Sequence, residues 1–329
     1  MEYKTLGKTG LKVSRMGFGG IPIQKIDEEG TRKLLQDMVK RGINYIDSAR
    51  GYTVSEQYIG YGLEGIRDQF VLATKEAMAA DIETSLRNFR TDYIDLYQVH
   101  NPSMEQLDQV IGEGGALEAL LEAKNAGKIG HIGITAHSTE VFERALTLDW
   151  VETIMFPYNI VEQQGAELLQ RCAEKNIGFI DMKPLAGGAI EDGTLALRYV
   201  CSNPDVTITI PGMAEIRELE ENQKACENQE PLTKEEEEKI QAVRDQLGTD
   251  FCRRCNYCAP CSVGIQIPSV FLFAGYLQRY DLEQWARDRY STLKVKASAC
   301  IGCGKCEPRC PYHLQIREKL KICAADFGE

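Results

Sequence analysis

The sequence predicts an α/β fold: a closed (β/α)8 barrel carrying a small cysteine-rich domain at its C-terminal end. Three observations predict it. Strand-like and helix-like patterns alternate from about residue 13 to residue 228, and eight of each can be read, the number that a closed parallel barrel requires. The strand-like runs are apolar and stop abruptly at a polar residue, as parallel strands do when their C-terminal ends share one face. Finally, the chain has 329 residues and two tight cysteine runs after residue 250, beyond the ~250 residues that one barrel uses.

Taken in order, residues 3–13 alternate and contain Gly7 and Gly10, which suits a hairpin closing the bottom of the barrel. Residues 13–20 read as the first barrel strand, and Gly19 and Gly20 at its end permit a tight turn or the close approach of a ligand to backbone. The remaining strands are expected at 42–47, 70–75, 93–100, 128–135, 151–156, 177–182 and 206–210. Helices are expected at 27–41, 55–66, 79–89, 116–126, 138–148, 163–176, 194–202 and 216–226. The barrel is thus placed at 1–230. A charged helical linker follows at 231–250, where Glu235 to Glu238 form a solvated face, and the cysteine-rich domain occupies 251–329.

Composition narrows the function. A net charge of −11 argues against nucleic acid or an anionic membrane surface as the main partner, since both select basic patches. No apolar run is long enough to span a bilayer, and Met1 to Lys4 open into a polar segment without a signal-peptide core, so a cytoplasmic protein is expected. Twelve cysteines in such a chain suggest metal or cluster ligation rather than disulfides.

Asp47, Tyr52, Lys75 and His100 fall at the ends of three successive strands. A Tyr hydroxyl, with a pKa near ~10, is a poor acid at neutral pH, but a neighbouring Lys ammonium favours the phenolate and makes it a usable proton donor. Asp47 would hold Lys75, and His100 would donate a hydrogen bond to a substrate carbonyl oxygen. Taken singly, each could be a wall residue or a turn former; together they form one coherent chemical set. In their settings, DSARGYTVSEQYIG, LATK and DYIDLYQVH, the four resemble the catalytic tetrad of the aldo-keto reductase family.

That resemblance covers about residues 1 to 228. It implies a (β/α)8 TIM barrel that transfers a hydride between NADH or NADPH and a small carbonyl or alcohol, with Tyr52 as general acid. It also sets the residues matching Gly19, Gly20, Ile21, Asn159, Gln163 and Lys183 around the nicotinamide. Pro211, Gly212, Met213, Glu218, Glu221 and Asn222 match the adenosine site. NADPH-preferring relatives place a Lys and an Arg where this chain has Gly212 and Glu218, so the segment leans toward NADH. Arg217, one position away, is read as a solvated surface residue.

In the tail, Cys252, Cys255, Cys258 and Cys261 form one run, and Cys300, Cys303, Cys306 and Cys310 the other. Three thiolates two residues apart can wrap three corners of a [4Fe-4S] cube, leaving the fourth to a distant cysteine. The second run resembles the bacterial two-cluster ferredoxins, and the resemblance implies crossed ligation. One cluster would take Cys252, Cys255, Cys258 and Cys310; the other would take Cys300, Cys303, Cys306 and Cys261. The first run departs from the pattern, with two residues before Cys261 and Ser262 where Pro usually follows. Zinc is the competing reading, although structural zinc sites use separated cysteine pairs. Cys172, Cys201, Cys226 and Cys323 are expected as free buried thiols.

The expected protein is an oxidoreductase whose clusters pass electrons to a redox partner protein or hold the tail in shape. A flavin mediating between the clusters and a two-electron substrate is the alternative enzyme. A catalytically idle redox-sensing or regulatory subunit is the alternative of another class, against which the intact tetrad argues.

Overall fold

A computed structural model describes residues 1–76, 81–228, 230–248 and 250–329. The chain forms two compact units, one of residues 1–159, 163–184 and 192–232 and the other of residues 160–162, 185–191 and 233–329.

The first unit opens with an antiparallel hairpin of β1 (Tyr3–Thr5) and β2 (Lys12–Ser14), Tyr3 opposite Ser14. Eight parallel strands follow, neighbours in sequence being neighbours in the sheet. They are β3 (Phe18–Gly19), β4 (Tyr45–Asp47), β5 (Val71–Glu76), β6 (Ile94–His100), β7 (Ile129–Thr135), β8 (Thr153–Pro157), β9 (Gly178–Met182) and β10 (Ile208–Ile210). The barrel closes between β3 and β10, where Gly17 N donates to Thr209 O at 2.9 Å and Gly19 N to Pro211 O at 3.0 Å. The expected (β/α)8 barrel is therefore present. The expected first strand is split, however: Val13 and Ser14 pair in the hairpin, and Ser14 is held sideways by Asn44, whose Oδ1 accepts from Ser14 N at 2.8 Å.

Helices α1 (Glu28–Lys40), α2 (Ser55–Gly62) and α3 (Ile82–Phe89) separate the first strands. The expected start of the third, at residues 79 and 80, lies outside the described residues. After β6 comes a helix that the sequence reading omitted, α4 (Met104–Ile111). A reciprocal cap between Ser103 and Gln106 starts it, and it buries Leu107 and Val110. Then α5 (Ala116–Asn125), α6 (Thr139–Ala145), α7 (Ala166–Glu174), α8 (Gly193–Ser202) and α9 (Ile216–Glu227) alternate with the later strands as expected.

Strand alternation sends every second side chain inward. Tyr45, Val71, Ala73, Leu96, Met155, Ile180 and Ile208 pack together with Leu6 and Val13 from the hairpin as the inner core. Asp47, Lys75, Gln98 and His100 continue the same inward parity at the C-terminal strand ends. Near the hairpin, buried Arg15 donates to the backbone carbonyls of Val206, Thr207, Cys201 and Asn203.

The second unit contains α10 (Lys234–Leu247), α11 (Ile267–Gln278), α12 (Glu283–Ser291) and α13 (Ile316–Phe327). Its core joins Ile265, Ile267, Val270, Leu314 and Leu320 to Cys258 and Cys310. Tyr290 stacks on Phe327 with ring centroids 3.8 Å apart. No described helix is long and apolar enough to cross a membrane.

Arg15→Met is expected to destabilise the barrel by roughly 3–5 kcal/mol, because carbonyls buried with no donor each cost ~1–3 kcal/mol. Urea denaturation followed by circular dichroism checks this; an unchanged midpoint would show that water satisfies those carbonyls.

Candidate active site and cluster loops

The structure brings Asp47, Tyr52, Lys75 and His100 together at one end of the barrel. Asp47 and Lys75 are 3% and 2% exposed. Lys75 Nζ donates to Asp47 Oδ2 and, at 2.7 Å, to Ser48 O. The other Asp47 oxygen accepts from Gln98 Nε2 at 3.1 Å. Burial pushes the Asp47 pKa up and the Lys75 pKa down, each opposed by the charge of its partner. The Lys75 ammonium lies 5.2 Å from the centroid of the Tyr52 ring, and Tyr52 meets His100 edge to face at 6.4 Å. Tyr52 is carried by the loop between β4 and α2, where its N–H donates to Ala49 O at 3.0 Å.

A second buried carboxylate escaped the sequence reading. Glu56, in the first turn of α2, is 1% exposed and accepts from Thr74 Oγ1 at 2.8 Å, Ser85 Oγ at 2.9 Å and Asn88 Nδ2 at 2.8 Å. Arg50 approaches it at 3.4 Å. Its charge adds to that of Asp47 in favouring the ammonium form of Lys75. Gln98 was also missed, although a polar residue at inward parity in an apolar strand was a readable signal.

Among the residues assigned to a nicotinamide, Gly20 sits where a Cβ would meet Asp47 O at 2.8 Å and Ser55 Oγ at 2.9 Å. Its lack of a side chain is thus already required by packing. Gly19 ends β3, and Ile21 opens a short 3-10 helix. Asn159 is fully buried and donates to Lys183 O at 2.9 Å; Lys183 itself has φ of 60°. Gln163 Nε2 donates to Tyr199 Oη at 2.5 Å.

At the adenosine segment, Pro211 O accepts the closing bond from Gly19, and Met213 is buried. A side chain at Gly212 would meet Pro22 Cγ at 2.9 Å. Glu218 folds back on the start of α9, accepting from Ala214 N at 2.7 Å and Glu215 N at 3.0 Å. Arg217 and Glu221 pair with each other in solvent at 2.8 Å, which agrees with the surface reading of Arg217. Asn222 lies one residue further along the helix.

In the second unit, Cys261, Cys300, Cys303 and Cys306 line a single pocket together with Ile267, Arg317 and Leu320. Cys252 lies within charge range of Cys255 and Cys310, and Cys258 within range of Cys252 and Cys255. Cys258 is also within range of Cys306, so the two runs lie close together. Burial pushes the Cys258 thiol up to about 12. Cys303, at the surface, is pulled down by the backbone N–H of Lys305 and by the Ser262 hydroxyl, whose oxygen is 3.5 Å from its sulfur. Backbone N–H groups also bond the sulfurs of Cys252 and Cys255. A pocket lined by four thiols and backbone N–H donors to sulfur suit iron–sulfur ligation.

The remaining four cysteines are free thiols, as expected. Cys172, Cys226 and Cys323 are buried, whereas Cys201 is only partly so; it lies near enough to Cys226, across the last turns of α8 and α9, for each thiol to perturb the other.

A sequence profile of the aldo/keto reductase family matches residues 15–194, and a profile of the 4Fe-4S dicluster domain matches residues 251–315. An L-galactose dehydrogenase from Arabidopsis thaliana is 27% identical over 295 residues, covering 72% of this chain and 92% of that protein. An NADH-specific methylglyoxal reductase from Escherichia coli (strain K12) is 29% identical over 239 residues, covering 61% and 72%. Among solved structures, an aldo-keto reductase from Bacillus halodurans superposes with a TM-score of 0.64 at 26% identity, covering 74% of this chain and 96% of that one.

Removing one member of a buried ion pair strands the other, at roughly 3–5 kcal/mol. Lys75→Met should therefore lower the denaturation midpoint sharply, and adding Asp47→Leu should recover a large part of the loss. A double variant no more stable than the single one would contradict this account of the pair.

Proposed function

The chain belongs to the aldo/keto reductase family and carries a C-terminal 4Fe-4S domain, and from that premise we propose that it interconverts a small carbonyl compound and its alcohol at the expense of NAD(P)H. The observation that carries this reading is the buried Asp47–Lys75 pair ending beside the Tyr52 ring.

The donor set fits a nicotinamide cofactor: the Asn159 and Gln163 amides stand at and just beyond the end of β8, and amide groups suit a carboxamide. Bound there, the nicotinamide supplies the hydride for the carbonyl carbon. Tyr52 supplies the proton for the carbonyl oxygen, giving the alcohol. Lys75, held charged by Asp47 and Glu56, lowers the cost of leaving negative charge on the Tyr52 oxygen. His100 donates a hydrogen bond that orients the carbonyl oxygen. Cys252, Cys255, Cys258 and Cys310 would hold one [4Fe-4S] cluster; Cys261, Cys300, Cys303 and Cys306 would hold the other.

The preferred cofactor is NADH. Glu218 directs a carboxylate onto the amides that open α9, where a 2′-phosphate would meet like charge. Pro22 leaves no room for a long side chain at Gly212. The similar Escherichia coli protein is NADH-specific by its name.

Tyr52→Phe is expected to lower carbonyl reduction by about 10²- to 10⁴-fold, the usual worth of a general acid, with nicotinamide binding retained; reduction at close to the parent rate would remove Tyr52 from that role. Glu218→Arg should shift the ratio of kcat/KM for NADPH over NADH upward, and a parent enzyme that already favours NADPH would reverse the assignment.

A further inference from the structure

The two cysteine loops share a backbone wrap but differ in charge. Arg254 and Asn256 have φ of 59° and 65°; Gly302 and Gly304, at the matching places of the second run, have 69° and 72°. Glycine enters this left-handed region freely, whereas a side chain there costs ~1–2 kcal/mol. An arginine at position 254 is thus retained against a local penalty.

Its surroundings account for it. The Arg254 side chain is 10% exposed and donates to Glu162 Oε1 at 2.6 Å; Glu162 is fully buried. Arg254 also donates to Cys252 O at 3.4 Å, and its Nε is buried with no hydrogen-bond partner. Next to it, buried Arg253 donates to the carbonyls of Val161, Gly248 and Phe251 and stacks 3.9 Å over the Tyr312 ring. The charge of Arg254 acts on the Cys252 sulfur, and that of Arg253 on the Cys255 sulfur. At the second set, the charges facing sulfur belong to Lys305, beside exposed Cys303, and to Glu307 and Arg317 beside Cys306, these two paired with each other at 2.8 Å and Arg317 43% exposed. Two largely desolvated guanidinium groups, one of them paired with a buried carboxylate, therefore act on one set of thiols, whereas among the described residues the cations at the other, Lys305 and Arg317, are open to solvent.

We propose that Arg254 and Glu162 set the reduction potential of the cluster held by Cys252, Cys255, Cys258 and Cys310, an inference that rests on the two-cluster reading above. One-electron reduction adds one negative charge to a cluster. A desolvated guanidinium beside it favours that charge and raises the potential. Glu162 acts through Arg254 and offsets part of the effect, so it is a positioning residue with an electrostatic role of its own. The two clusters are consequently unequal: an electron entering the pair settles on the first.

The test is a potentiometric titration of the full-length, anaerobically purified protein, monitored by electron paramagnetic resonance with dithionite as reductant. Iron analysis of the parent, near ~8 atoms per chain for two [4Fe-4S] clusters, checks the cluster reading separately. Cys303→Ala identifies the signal of the second cluster. Arg254→Gly, which installs the residue of the matching position, should shift the midpoint of the first cluster downward. Glu162→Gln should shift it upward, with the second cluster unmoved in both. Both variants break the same ion pair, so damage to the loop would move the potential in the same direction twice, whereas charge moves it in opposite directions. Shifts of the same sign, or none, overturn the proposal. Should Arg254→Gly lose the first cluster, Arg254→Asn, also tolerant of positive φ, replaces it; loss from both assigns Arg254 to building the loop and likewise overturns the proposal.

Discussion

The C-terminal end of the barrel strands depends on keeping Lys75 and Asp47 out of water together. Each charge alone would be expensive to bury, and their mutual attraction repays the cost only if the remaining valences are met. Gln98 meets one carboxylate valence and the Ser48 carbonyl meets one of the ammonium. Three adjacent strands and the loop after β4 are tied to this requirement. A one-residue slip of β4, β5 or β6 would turn Asp47, Lys75 or Gln98 out of the barrel, so the polar layer and the apolar layer beneath it demand the same register. The Tyr52 loop inherits its position from that register, because Ala49 and Ser48 follow directly from Asp47.

Much of the barrel was legible for the same reason. Parallel strands buried on both faces are short apolar runs, and the polar residue that ends each one marks where the chain leaves the core, as at Asp47, Lys75 and His100. The first strand was misjudged because Val13 and Ser14 continue the apolar alternation while their backbone pairs elsewhere; hydrophobicity does not report which neighbour a strand chooses. Helix α4 carried a legible signal in Ser103 and Gln106, yet it interrupts the one-strand, one-helix rhythm that guided the reading. Glu56 could not have been found by pattern. It opens a helix where acids are common near the positive end of the dipole, and only the arrival of Thr74, Ser85 and Asn88 from other elements turns it into a buried hub.

In the tail, spacing alone singled out the eight cysteines as candidate ligands, because three corners of a cubane are met within one short loop. Their division into crossed sets came from likeness to other proteins, and the pocket lined by Cys261 with Cys300, Cys303 and Cys306 agrees with it. Ser262, noted only as a departure from the usual proline, turns out to direct its hydroxyl at Cys303. What spacing could not convey was the carboxylate paired with Arg254, since Glu162 lies 92 residues away in the chain. The same holds for Cys201 and Cys226, which meet only because α8 and α9 bring their last turns together.

The cluster-bearing unit is assembled from three stretches of chain, and the two short ones, 160–162 and 185–191, are interleaved with residues of the barrel unit. Such a unit is not a detachable cassette. A recombination event transferring residues 233–329 to another protein would deliver Arg254 without Glu162, importing a buried cation whose counter-charge stayed behind in the donor gene. Successful shuffling would have to carry the barrel along or reinvent a carboxylate in the recipient, so the fusion is expected to be inherited whole.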